Sequence, residues 1–361
     1  MTGGNRVGGD DKTRVSAIVV SAHVGEPISE CDLSGLDLSR APLKGAVFSR
    51  VRLAGANLSN ADLREAMFDE CDLTGCNFDT AQVRAAVFNK CVLDDSRSLA
   101  GNWHAAKLME CSMAHANMAG ADFNLAAFYR CGMVESELSL SKLDRATLME
   151  CDLQRALLRG IQWHQVTLSA CKLGAAELGA SSFERVVFHQ TDVGGRAFIG
   201  QRLVGCQFGG GSLTDADFTD AELLQCSFQG SRLERCGFAG AKAQHAIFAE
   251  STLVDCDLKG AALRQSLFSA ASLTNCRLSQ ADLYQAHFAK ARLMHCNVHG
   301  AELTYADFSH ASLHQCDLEA CTVQRTKFHR TEFVDSRLPD LGPALGTDEV
   351  LDRAERWPPS A

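Results

Sequence analysis

From Leu33 to Leu338 every fifth residue is large and apolar, with few exceptions and no slip of phase. In AGANLSNADLREAMF (Ala54 to Phe68) the centres are Leu58, Leu63 and Phe68, and a small residue (Ala56, Ala61, Ala66) stands two positions before each. All 19 Phe fall on the centre phase and all 16 Cys on the small phase. A period of five fits neither a helix (3.6) nor a plain strand (2.0). It fits a wall that turns a corner every five residues and points two side chains of each pentapeptide inward. The pattern predicts a solenoid in which each turn contacts mainly its neighbours.

A second period lies inside the first. At centres 20 residues apart, from Phe48 to Phe328, the residue is Phe with three exceptions, Leu108, Leu148 and Leu168. Cys71, Cys91, Cys111, Cys131, Cys151 and Cys171 form one column, and Cys236, Cys256, Cys276, Cys296 and Cys316 form another. Residues 20 apart stack if four pentapeptides close one turn. That predicts about 15 turns of parallel strand and, at ~4.8 Å per turn, a length of roughly 75 Å. Residues 31–340 are the expected repeat region. Residues 1–30 are read as a tail and N-terminal cap, with Val15 to Val24 as a short strand or plug over the first turn. Residues 341–361 are read as a tail with a short helix over TDEVLDRAERW. Thr347 or Asp348 caps that helix, and Leu351, Ala354 and Trp357 form its apolar side.

The pattern A(D/N)LxX, as in ADLRE at Ala61 and ADLYQ at Ala281, resembles the pentapeptide-repeat family. The resemblance implies an all-β fold, a right-handed quadrilateral parallel β-helix; the four sides follow from the spacing and the handedness from the family alone. Some members mimic DNA, bind gyrase or topoisomerase IV and protect them from quinolones or toxins. In length and in its Cys-rich, Trp-bearing style the chain also loosely resembles members that accompany type VI secretion spikes.

Charge and chemistry narrow the function. The net charge of -9 argues against a nucleic-acid binder driven by phosphate contacts. No apolar run approaches bilayer length, and MTGGNRVGGDDKTR lacks the order of a secretory signal, so a cytoplasmic bacterial protein is expected. No phosphate loop, HExxH or GxSxG motif occurs, so no enzyme activity and no cofactor are expected. Each Cys takes a position otherwise held by Ala or Ser and reads as a small core residue, not a metal ligand. Eleven of the 12 His stand at outward positions; His310 and His314 lie on adjoining faces that meet at a corner.

Three groups of residues remain as candidates. Val47, Met67, Val87, Met109, Tyr129, Met149 and Val187 form an outward apolar stripe for a protein partner. Asp215, Asp217, Asp220, Asp255, Asp257, Asp317 and Glu319 mark an acidic side. A DNA mimic of this length faces a target of about 44 phosphates, and Arg235 and Arg277 interrupt the acids. The regularity lapses at Ser98, a centre followed by Trp103 at the next, and at Arg196 and Gln201, which take small inward positions. A buried unpaired guanidinium is costly, so a bulge that carries Arg196 outward is expected. The expected function is a non-enzymatic interaction or scaffold protein, with DNA mimicry as the alternative and the C-terminal segment as a surface for a second chain.

Overall fold

The computed structural model describes residues 11–195 and 197–357. The chain is nearly all β, a parallel solenoid of about 15 turns. It divides into two compact units, Met1–Ser181 and Ser182–Ala361. In the first unit, twenty residues trace four sides: Asp32 pairs with Arg52, Asp37 with Asn57, Pro42 with Asp62, and Val47 with Met67, all parallel. One side is a continuous sheet running from Ile28–Ser29 through Val47–Ser49, Met67–Asp69, Val87–Asn89, Lys107–Met109, Ala127–Tyr129 and Thr147–Met149 to Thr167–Ser169. In the second unit the continuous sheet lies on a different column, from Ser212–Thr214 to Glu332–Val334, centred on Leu213, Leu233 and their successors.

The five positions of the repeat have separate physical jobs. Centres and small residues are buried: Leu58, Leu63, Ala56 and Ala61 are all at 0% exposure. The fifth position turns the corner with positive φ, as at Gly55 (68°), Asn60 (58°) and Glu65 (62°). Most corner N–H groups donate to a carbonyl one turn on, Glu65 to Arg84 O at 2.9 Å for example, while Arg330 N donates to Thr347 Oγ1 at 3.2 Å. The Asp or Asn of the motif secures the bend: Oδ1 of Asp72 accepts from Thr74 N at 3.1 Å, and that of Asp217 from Thr219 N at 2.9 Å. This is the Asx turn, and it explains why the position favours those two residues.

Inside, identical side chains stack. The rings of Phe48, Phe68 and Phe88 follow one another at 4.8 Å, 4° from parallel. The thiols are not idle fillers. Cys71 Sγ donates to Phe48 O at 3.5 Å and Cys91 Sγ to Phe68 O at 3.4 Å, each 23 residues back. Ser181, Ser231 and Thr326 direct their hydroxyls to the same kind of carbonyl at 2.9, 2.6 and 2.7 Å. A thiol or hydroxyl on the small phase can thus find its acceptor in the fold itself, as Cys71, Ser181 and Thr326 do, whereas Ser96 Oγ and Ser141 Oγ on the same phase are buried without one. Burial pushes the Cys76 thiol up to about 12, well away from the reactive thiolate.

The N-terminal end differs from its expected form, and the C-terminal helix forms as expected. Residues expected as a strand or plug lie in a helix, α1 (Asp11–Val24). Ile18 and Ala22, one helical turn apart, are its buried residues, and Gly25 (φ 76°) ends it, with Glu26 N donating to Ser21 O at 2.9 Å. The β-branched run is thus overridden by its 3.6-residue spacing and a glycine stop. The C-terminal helix α2 spans Glu349–Glu355, with Asp348 as its cap. Its expected apolar side is not packed: α2 contains no buried residue, Leu351 is 46% exposed and Trp357 79%. Before α2 the tail covers the last open edge. Phe328 N donates to Leu345 O at 2.8 Å and Leu345 N to Thr326 O at 2.8 Å. Among the described residues no helix is long and apolar enough to cross a membrane.

The inward and outward positions should respond oppositely to charge. Phe228 and Leu233 are at 0% exposure, whereas Gln229 is exposed. Phe228→Asp or Leu233→Asp should leave the protein unfolded at 25 °C, and Gln229→Asp should change stability by no more than about 0.5 kcal/mol. Thermal melts followed by circular dichroism read both; equal effects would refute the assignment.

Candidate functional site

The apolar stripe falls into two offset columns on the first unit's sheet. Val47, Met67 and Val87 pair in register just before their centres. Met109, Tyr129 and Met149 pair in register just after theirs. Met67, Met149 and Met109 are 48%, 43% and 36% exposed. The Arg130 guanidinium lies over the Tyr129 ring, 4.8 Å from its centroid. Val187 belongs to the second unit, where it stands just before the centre Phe188.

The acidic candidates all lie in the second unit, and most are tied to bases or turns. Asp215 pairs with Arg235 at 2.7 Å, which holds its carboxyl below the usual range. Asp257 lies 3.5 Å from Arg277, and Asp255 accepts from Asn275 Nδ2 at 3.0 Å. Asp217 and Asp317 accept the backbone N–H groups of Thr219 and Glu319 at 2.9 and 3.0 Å. Asp220 is a corner residue with φ 56°. The arrangement is a set of locally compensated charges distributed over several columns, not one row of open carboxylates.

The lapse at Ser98 is a packing exchange. Ser98 Oγ donates to Phe78 O at 3.2 Å and accepts from Trp103 Nε1 at 2.8 Å. Both residues are at 0% exposure, with the indole centroid 5.2 Å from Phe88 and 5.5 Å from Phe78. The small Ser makes room for the large indole and supplies the partner its N–H needs. Gly101 completes the fit, since a Cβ there would collide with Ser98 Oγ. In the second lapse Arg196 lies outside the described residues. Gln201 is half-buried, its N–H donating to Phe198 O at 3.0 Å, and Phe198 and Leu203 keep the phase at 0% exposure.

The histidines depart from expectation. His310 meets not His314 but His329, at 5.2 Å between ring centroids, and His329, an outward position of the repeat, is only 4% exposed. Residues near and within α2 bury it. His329 Nδ1 accepts from Asp348 N at 3.1 Å, which places the proton of the neutral ring on Nε2, 3.3 Å from Glu355 Oε2. His310 Nε2 stands 3.2 Å from Glu355 Oε1 and Arg330 Nη1 3.1 Å from Oε2. Arg330 Nε also meets Asp352 at 2.5 Å. Two imidazoles and a carboxylate converge as in a metal site, yet a protonated Nε2 and an adjoining guanidinium make a poor donor set. The cluster is a polar dock for α2. Sequence periodicity could not reveal it, because Glu355 lies beyond the repeat.

A surface concavity of about 500 Å³ is lined by Asn124, Leu140, Lys142, Asp144, Gln162 and His164. His164 Nδ1 is 2.6 Å from Asp144 Oδ1. Among the described residues no hydroxyl or thiol is hydrogen-bonded to that imidazole, so the pair lacks the nucleophile of a triad.

Comparison with known families decides what the pattern belongs to. A family model described as a pentapeptide repeat region matches residues 29–97 and 271–341, and one of pentapeptide repeats in 8 copies matches 202–238 and 233–269. The matches together cover more than half of the chain. This is a pentapeptide-repeat protein. Among solved structures it is similar to HetL, a pentapeptide-repeat protein involved in heterocyst differentiation regulation from Nostoc sp. strain PCC 7120. The identity is 23% over 68% of this chain and 90% of HetL, with a TM-score of 0.24. It is also similar to QnrB1, a plasmid-mediated fluoroquinolone resistance protein (15% identity, 58% of this chain and 89% of that one, TM-score 0.27). Rfr23 from Cyanothece 51142 is 21% identical over 34% of this chain and 88% of its own, with a TM-score of 0.23. No curated protein sequence matches.

Two measurements probe these clusters. Ser98→Ala should cost this pentapeptide-repeat protein about 1–3 kcal/mol by orphaning the indole N–H. Combined with Trp103→Phe it should cost clearly less than the two single changes added, and strict additivity would deny the pairing. The α2 dock should fail in acid. Arg330 holds the Asp352 carboxyl below its ordinary range. For Glu355 burial pushes upward, but hydrogen bonds from His329 and His310 outweigh it and lower the value. Depressed carboxyls stabilise above their ordinary pKa of about 4 and cease to do so as pH falls through the lowered value. Amide protection over residues 349–355 should therefore persist at neutral pH and disappear between about pH 4 and 2; protection unchanged at pH 2 would contradict the dock.

Proposed function

We propose that this pentapeptide-repeat protein is a non-enzymatic scaffold that binds a protein partner through the sheet face of its first unit. The observation that carries the reading is the exposure of Met67 on one column and of Met109 and Met149, which flank Tyr129, on the other, all on a regular parallel sheet. Long flexible thioethers and an amphipathic ring suit a contact surface. They serve no purpose in the interior, which is already filled by the Phe column. The DNA-mimic alternative is less supported, because Arg235, Arg277 and Asn275 already engage Asp215, Asp257 and Asp255.

The two readings separate in one set of variants. Changing Val87, Met109 and Tyr129 to Ser should weaken capture of the partner by about thirty-fold, roughly 2 kcal/mol. Reversing Asp215, Asp217, Asp220 and Asp257 to Lys should leave it nearly unchanged. Capture from lysate is scored separately for topoisomerase subunits and secretion-spike proteins. Salt-sensitive inhibition of gyrase supercoiling by the wild type, abolished by the acidic reversal, would replace this reading with the alternative.

A further inference from the structure

The corner beside the apolar face carries a column of charge that no other corner matches. Its residues are Glu30, Arg50, Glu70, Lys90, Glu110, Arg130 and Glu150, one per turn, all exposed and strictly alternating in sign. The turns are spaced by 4.8 Å where the neighbouring Phe rings report it. Within the chain Arg50 reaches Glu30 at 2.6 Å and Arg130 reaches Glu150 at 2.8 Å. These four side chains nevertheless remain 45–67% exposed, so the pairs leave much of their charge open to a further partner.

We propose that this face binds a second copy of the same chain, antiparallel, with the two-fold axis running along the strand direction between the turns of Lys90 and Glu110. The inference rests on the reading of the apolar face as a protein-binding surface and names its occupant. An alternating column selects its own register. An axis placed between two turns brings unlike charges together across the interface, and an axis placed on a turn brings like charges together. With the axis between Lys90 and Glu110, Arg50 meets Glu150, Glu70 meets Arg130, and Lys90 meets Glu110, each twice by symmetry.

The apolar columns share that centre. Val47, Met67 and Val87 stand before it on one side of the strand centres, and Met109, Tyr129 and Met149 after it on the other. The two-fold lays each column on its own copy reversed. Met67 then faces Ala127, Val47 faces Thr147, and Val87 faces the aliphatic stem of Lys107. Met149 faces Ser49, Met109 faces Asn89, and the Tyr129 hydroxyl approaches Asp69. Large side chains meet small or polar ones throughout, as interlocking surfaces require.

The size of the face sets the strength. Eight strands at ~4.8 Å and about 10 Å of strand width give about 400 Å² per copy, roughly half of a standard interface. The dimer is accordingly weak and exchanging, and its ionic column makes it sensitive to salt.

Charge reversal in trans provides the test. Lys90→Glu places like charges opposite Glu110 in its own dimer, and Glu110→Lys places like charges opposite Lys90. Each variant alone should self-associate at least about tenfold more weakly than the wild type. Mixed together, the two should form a heterodimer, because Glu at 90 in one copy then meets Lys at 110 in the other and the reciprocal contact joins Glu110 to Lys90. Sedimentation equilibrium of the full chain at low and high salt, with one variant fluorescently labelled, reads all three states. A wild type that stays monomeric at every concentration overturns the inference. So do single variants that dimerise as the wild type does, since their contact then lies elsewhere, or a mixture that fails to associate. If the wild type is monomeric but the Val87, Met109 and Tyr129 variant still loses a captured partner, the scaffold reading stands and the dimer alone falls.

Discussion

The left-handed corner is the constraint on which this molecule is built. A non-glycine residue at positive φ costs roughly 1–2 kcal/mol, and the chain repeats that conformation at position after position, including Ala85, Leu125 and Tyr305. No single side-chain contact offsets so many. The compensation is distributed: corner N–H groups along the repeat find carbonyls one turn on, as Arg50 N finds Asp69 O at 2.8 Å. Asx side chains close many of the bends, and the corner is what aims both the centre and the small residue inward. Without the bend neither column would exist.

Because every turn imposes the same geometry on the next, the interior was largely legible from residue spacing. Phe at 20-residue intervals implied a stack, and the rings of Phe188, Phe208 and Phe228 lie 4.8 and 5.0 Å apart within 3° of parallel. The burial of Cys and Ser at one phase was likewise readable, although the carbonyl 23 residues back that accepts from many of them, or three back as for Ser136 and Ser266, was not, since nothing in a sequence period names an acceptor. The Ser98 lapse marked a real exchange of volume, but its content, an indole leaning into the space of a missing centre, depends on diagonal packing across two columns.

The ends and the outer faces were harder to read for a different reason. Outside the repeat the period carries no information, so Val15 to Val24 reads as a short strand or plug where the structure has the helix α1. The apolar residues of α2 read as a side that caps the last turn or meets a second chain, and the structure leaves them in solvent. The helix is held instead by His310, His329 and Arg330, a polar arrangement assembled only when the tail returns to the last turns. On the outer faces the repeat fixes where a side chain points but not what it meets. The stripe accordingly resolved into two offset columns, and the acids became locally neutralised groups.

That division of labour bears on function. In a compact enzyme a surface residue is constrained by the loop beneath it, whereas here every outward position is an interchangeable peg on a lattice of fixed pitch. Chemistry can therefore be written along the axis as a pattern, and the pattern itself carries information that isolated residues do not. An alternating column of Glu, Arg and Lys is quiet within its own chain, because each charge has opposite neighbours one turn away and little long-range field survives. Laid against a reversed copy, the same alternation favours certain registers and penalises the intervening ones. Exposed ion pairs contribute little stability individually, so the worth of such a column lies in selecting alignment, and the apolar side chains beside it supply the attraction that alignment directs.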